Sequence, residues 1–275
     1  MLLTILSATS PLAAQRPAMS RPAIIPLEPY VGNLLVVEAK VNGQPARLLF
    51  DSGGGISLIS PELAAKAGCH PHGSLVAFRI TGERMDWKKC GAVVLDIRGS
   101  HRRIEPGVFD IMSLLPKGLS KIDGVLALDA FDGRVITVSL AERTITLDAR
   151  RATASDASEG RMRLMRESGG AGLTAFLAAK AEVGTLYLLV DSANLDRVTL
   201  SPGAVDQLGQ RTLGDTIKMP LQLLGTKSVS VDAHVADIIY DGALNFAVLS
   251  QYRITLDLGK NRVWLEPAGR RAKKR

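Results

Sequence analysis

The chain has 275 residues, 46% of them hydrophobic, which is enough for one large domain or two small ones around a sizeable core. Aromatic residues make up only 4%, which argues against an aromatic-lined nucleic-acid platform. Five of the seven net positive charges lie in the closing RRAKKR (Arg270, Arg271, Lys273, Lys274, Arg275), so the rest is nearly neutral and the tail, 268–275, reads as a solvated end.

Residues 1–15, MLLTILSATSPLAAQ, are apolar and then small, the pattern of a secretory signal peptide with cleavage near Ala14. No Lys or Arg precedes Arg16, so the usual basic start is missing. The stretch is too short for a membrane span and is broken by Pro11. The expectation is export to the periplasm or beyond, with no integral membrane span. Residues 16–32 are rich in Pro and small residues and read as a leader. A first lobe is expected over 33–147. It opens with VVEAKVNGQPARLLFDS, whose alternation and Asn42-Gly43 predict a hairpin.

The next stretch, LLFDSGGGISLIS (48–60), runs an apolar strand straight into Asp51 and breaks it with Gly53, Gly54 and Gly55. A surface turn and a carboxylate held in a cleft both fit this motif taken alone. Ser60-Pro61 then predicts a short helix, with Ser60 as N-cap, and Gly68 is its stop. Cys69 and Cys90 are compatible with one disulfide or with two buried thiols. Cys69, His70 and His72 have metal-like chemistry but no second cluster at useful spacing, so a surface loop is expected there and no metal. Residues 148–172 shift to Ala, Ser, Arg and Gly and read as a linker. A second lobe is expected over 173–267.

The two sides of that linker resemble each other. LLFDSGGGISLISPELAAKAG from Leu48 matches LLVDSANLDRVTLSPGAVDQLG from Leu188, with one inserted residue. Ile122–Leu147 matches Tyr240–Leu265 without gaps, sharing Asp123/Asp241, Gly124/Gly242 and Thr137/Thr255. Two matched blocks in the same order indicate an internal repeat. The repeat also decides Leu173–Glu182, which looks helical by composition. Its counterpart, Asn33–Asn42, is strand-like, so a strand is predicted for both.

A pseudo-two-fold axis between two such lobes would bring Asp51 and Asp191 together. Two neighbouring carboxylates share a proton, so one can act as base on a water while the other protonates a carbonyl oxygen. Such a device hydrolyses a peptide bond with no metal and no cofactor.

On Asp51-Ser52-Gly53 and the downstream DGVLALDAF, the sequence resembles the retropepsin-like and pepsin-like aspartic proteases, and in particular the bacterial aspartyl proteases with two repeats. The resemblance implies a mostly β, bilobal fold of β-barrel-like lobes, with a short helix after each Asp motif. It implies Asp51 as a catalytic aspartate, Ser52 as a cross-lobe partner and Gly53 as the residue shaping the loop. The repeat carries these roles to Asp191, Ser192 and Ala193. A flap hairpin is implied over Val76–Trp87, with its tip near Thr81-Gly82. The chain departs from the family pattern at Ala193, Ala127 and Asn245, each standing where a glycine is usual. The extra methyl of Ala193 is expected to crowd the second loop and push Asp191 away from Asp51.

The expected function is therefore aspartic-type endopeptidase activity on a peptide or protein substrate, by a two-lobed monomer that binds no nucleic acid. The alternative is an impaired relative that binds peptides in the same cleft. A serine hydrolase at Ser52 or Ser57 is disfavoured, because neither lies in a G-x-S-x-G elbow. A phosphate loop at the glycines lacks the Lys-Ser/Thr that should follow.

Overall fold

A computed structural model describes residues 23–148, 157–166, 172–211 and 214–269. The expected signal peptide, residues 16–22 of the expected leader, parts of the expected linker (149–156 and 167–171) and residues 270–275 of the tail lie outside them. The chain is mostly β, folded as three sheets with short helical turns between strands.

The first lobe is a curled sheet whose centre is set by a hairpin and a crossover. Leu35–Val41 and Gln44–Phe50 pair antiparallel around Asn42-Gly43, both of which adopt the left-handed backbone that a tight hairpin turn requires. Gly124–Leu126 then lies parallel to Leu48–Phe50 and antiparallel to Leu58–Ile59. The second lobe repeats this plan. Leu173–Lys180 pairs with Thr185–Val190, and Gly242–Leu244 lies parallel to Leu188–Val190 and antiparallel to Thr199–Leu200. Leu173–Lys180 is a strand, as its counterpart required.

The residues shared between the two halves have a common physical job. A Cβ on Gly124 would lie 2.0 Å from the Leu58 carbonyl oxygen, and one on Gly242 would lie 2.5 Å from that of Thr199. Only glycine permits strands this close. The preceding aspartates accept backbone N–H groups across the sheet: Arg47 donates to Asp123 at 3.0 Å, and Tyr187 donates to Asp241 at 2.8 Å.

Beneath both lobes runs a six-stranded sheet with strands from each half. Val135–Ser139 and Tyr252–Asp257 pair antiparallel at its centre, with Thr137 opposite Thr255. Their buried hydroxyls hydrogen-bond at 2.8 Å. Equivalent residues facing each other in this way mark a pseudo-two-fold axis through the sheet.

Two expected connectors are part of these sheets. Within the expected leader, Ile24–Pro26 pairs with Thr144–Leu147, and Glu28–Pro29 pairs with Leu35–Val36. Ile25 and Leu27 are buried while Pro26 and Pro29 sit in strands of two or three residues, so the proline content reflects edge positions. Within the expected linker, Ser158–Arg161 pairs with Arg262–Leu265, and Arg163–Arg166 pairs with Leu173–Phe176. These too are edge strands. Met162 between them is buried, and their polar composition follows from exposure on the other face.

Both predicted helices form, over Pro61–Lys66 and Pro202–Gln207, with Ser60 and Ser201 as N-caps. Cys69 and Cys90 are joined in a disulfide, which ties the first helix to the end of the flap hairpin and removes Cys69 from any metal-ligating role. No helix among the described residues is long and apolar enough to cross a membrane.

Candidate active site

The strand Gln44–Phe50 carries the buried run Leu48-Leu49-Phe50 to the lobe interface. The Asp51 N–H continues the ladder by donating to Leu126 O at 3.0 Å, and the chain then turns back on itself through Gly53–Gly55. The turn aims amides at the acid: Gly53 N–H donates to Asp51 Oδ1 at 2.8 Å. The second lobe does the same, with the Ala193 and Asn194 N–H groups each donating to Asp191 Oδ1 at 3.0 Å.

The two loops are locked to each other through the residues after the acids. Ser52 Oγ donates to Val190 O at 2.7 Å and accepts the Ser192 N–H at 3.0 Å. Reciprocally, Ser52 N–H donates to Ser192 Oγ at 3.0 Å, and Ser192 Oγ donates to Phe50 O at 3.4 Å. Both serines are buried, so each polar atom needs the partner it has. A further link runs from Leu173 N–H to Gly55 O at 2.7 Å.

These constraints bring Asp51 and Asp191 to the floor of one cleft of about 310 Å³. Gly53 touches both: its amide holds Asp51, and a Cβ on it would fall 2.7 Å from Asp191 Cγ. Burial pushes the Asp51 carboxyl well above the ordinary range, against the pull of the Gly53 and Gly54 amides. Asp191 is pushed up further, by burial first and by the charge of Asp51 second, against the Ala193 and Asn194 amides. The direction for the pair is clear: two half-buried acids beside one another hold a proton that either alone in water would lose.

Ala193 does not crowd its loop as expected. It is absent from the residues with left-handed backbone, and its N–H supports Asp191 as Gly53 supports Asp51. Its side chain packs against the apolar cluster of Val36, Leu49 and Ile56. Ala127 and Asn245 likewise have extended backbone that any residue adopts. Asn245 uses its side chain, capping the following helix through Val248 N–H and donating to Asp196 O at 2.8 Å.

The hairpin of His72–Phe78 and Arg84–Lys89 hangs over the cleft. Its turn closes with Gly82 N–H donating to Arg79 O, so Thr81-Gly82 is the tip. Both tip residues are exposed, however, and the flap residues that line the cleft are Ala77, Phe78, Arg79, Ile80, Met85 and Trp87.

Sequence reasoning missed the support beneath the first loop. Asp129 Oδ1 accepts Ser57 N–H at 3.0 Å and Ser57 Oγ–H at 2.6 Å, and Ser57 Oγ accepts Ala127 N–H at 3.1 Å. Burial raises Asp129 to about 6. The repeat could not flag it, because its aligned counterpart is Ala247.

Residues 37–129 match the family model for aspartyl proteases. No curated protein sequence matches the chain. Among solved structures, basic 7S globulin from soybean is similar over 89% of this chain and 94% of its own, at 10% identity and a TM-score of 0.53. Conglutin gamma, a basic 7S globulin from lupine seeds, is similar over 90% and 95%, at 11% identity and a TM-score of 0.54. At these identities the likeness is one of fold, and that fold is aspartic-protease-like.

Proposed function

We propose that this chain, with its aspartyl protease match over residues 37–129 and an aspartic-protease-like fold across both lobes, is an aspartic-type endopeptidase. The observation that carries the reading is the convergence of Asp51 and Asp191 on one cleft floor, both raised and both braced by backbone amides. In the singly protonated pair, the ionised carboxylate takes a proton from a water lying between the acids. That water's oxygen attacks the peptide carbonyl carbon while the protonated partner donates to the carbonyl oxygen. The tetrahedral diol then collapses as its proton returns through the pair to the leaving nitrogen. Bond making and breaking use only water and the shared proton.

The test is Asp51→Asn, which keeps the shape and the amide partner but removes the titratable charge. Cleavage of a mixed peptide library should fall at least a hundredfold, with the thermal midpoint held or raised. A folded Asp51→Asn protein retaining a tenth of wild-type activity overturns the mechanism. Peptide binding without turnover in the same cleft is the second reading, favoured by a family match that ends at residue 129, short of Asp191. It becomes the better one if folded wild-type protein binds library peptides and cleaves none.

Export is part of the proposal. It is supported by the apolar start of the sequence and by the Cys69–Cys90 disulfide, which suits an oxidising compartment.

A further inference from the structure

The two sides of the cleft are built from equivalent strands but finished differently. Val36, Leu49 and Val125 form the buried base of an apolar cluster in the first lobe. Their repeat counterparts Phe176, Leu189 and Ala243 form the base of a second cluster in the other lobe. On the first side the base opens into the cavity past Leu58, Trp87, Phe109 and Ile111. On the second side Ile80 covers it, and Ile80 belongs to the first lobe's own flap. Tyr240 completes this cover, meeting Phe176 edge-on at a centroid distance of 5.0 Å.

The backbone fixes Ile80 there. The Ile239 N–H, from the second lobe, donates to Ile80 O at 3.0 Å, so the flap is clasped across the cleft. Leu189 and Tyr240 still border the cavity, so this side is narrowed rather than sealed. An Ile side chain thus takes up space that the equivalent strands leave open in the first lobe.

We propose that Ile80 sets the substrate specificity of the cleft. With the flap clasped, the first-lobe side takes a large apolar side chain and the second-lobe side takes only a small one. The substrate is a peptide with a Leu- or Phe-sized residue on one side of the acids and Gly or Ala on the other. This rests on the reading of the cleft as a peptide site, and its test is therefore made on binding, apart from turnover.

Peptides with central Phe-Ala, Ala-Phe and Phe-Phe pairs are titrated against the Asp51→Asn protein, with Ile80 intact and with Ile80→Val or Ile80→Ala added. With Ile80 intact, one of the two mixed orders should bind about tenfold or more tighter than Phe-Phe, the scale on which an apolar pocket discriminates by size. Ile80→Val should narrow that gap and Ile80→Ala should bring Phe-Phe to within about twofold. A role confined to holding the flap in place would lower all three affinities together and leave their ratios unchanged. Equal binding of Phe-Phe with Ile80 intact, ratios unmoved by Ile80→Ala, or no binding of any peptide each overturns the proposal. The predicted ratios together with no cleavage by the Asp51-containing protein would remove the peptidase reading and leave the specificity assignment standing.

Discussion

Replacing Gly53 by Ala is predicted to disable the site while Ala193→Gly barely affects it, although the two positions are repeat equivalents. A Cβ on Gly53 would lie 2.7 Å from Asp191 Cγ, 2.9 Å from its Oδ1 and 3.0 Å from its Cβ. The first of these is about 0.7 Å inside the 3.4 Å at which ordinary contact begins. Asp191 cannot simply swing aside, because its Oδ1 accepts two amides at 3.0 Å. Either those bonds stretch or the Gly53 loop retreats from Asp51. Breaking them would cost about 1–3 kcal/mol. A shift of about 1 Å between reacting groups can cost roughly a hundredfold in rate. Gly53→Ala should therefore lower kcat/KM about a hundredfold, with a modest fall in thermal midpoint. Ala193→Gly removes a methyl from a position with ordinary backbone and should leave kcat/KM within about threefold, at a stability cost of about 1 kcal/mol. Both are read by peptide cleavage beside thermal unfolding. A folded Gly53→Ala protein with more than a tenth of wild-type activity would refute the argument, as would a large gain from Ala193→Gly.

Three further outcomes follow from the same geometry. With Asp51 pushed up to about 6 and Asp191 to about 8, the singly protonated pair dominates between those values, so kcat should peak there and fall on both sides; a profile still rising below pH 5 would contradict it. Because these folded-state values are raised, the native state binds more protons than the unfolded chain. Stability should then decline as pH rises from about 4 through about 8 and level off beyond, in thermal melts across that range; melts that rise over the same window would contradict the burial of the pair. Ser52→Ala leaves Val190 O and the Ser192 N–H without their partner and should cost about 2–4 kcal/mol in denaturant unfolding. A change under about 0.5 kcal/mol would mean that the cross-lobe bonds contribute little.

How far the sequence could be read depended on whether a residue's role had a local or a repeated signature. Asn42-Gly43, Ser60-Pro61 and Ser201-Pro202 announce a hairpin and two helix starts through their own backbone chemistry, and all three form. Asp123-Gly124 and Asp241-Gly242 could be paired by alignment alone, since the same close strand approach recurs in each lobe. Edge strands have neither kind of signature. Ile24–Pro26 and Ser158–Arg161 are short, polar or proline-bearing, and are ordered by partners more than a hundred residues away. Asp129 is a single-copy device, and nothing near it in sequence reveals that Ser57 will donate to it twice.

The departures at Ala127, Ala193 and Asn245 make the same point about the site. Read as lost glycines, they suggest damage. Yet a glycine is irreplaceable only where the backbone is left-handed or a Cβ meets an immovable atom, and these three positions have ordinary backbone. At Gly53 the second condition does hold, because the opposing carboxylate occupies the space a methyl would need. Asn245 also makes bonds that a glycine could not, joining its helix to the loop that carries Asp191 through Asp196 O. The second loop is thus braced by a side chain, while the first is braced from below by Ser57 and Asp129. The two lobes hold equivalent acids in equivalent places by different means, which is why a motif match weakens in the second lobe while the geometry around Asp191 does not.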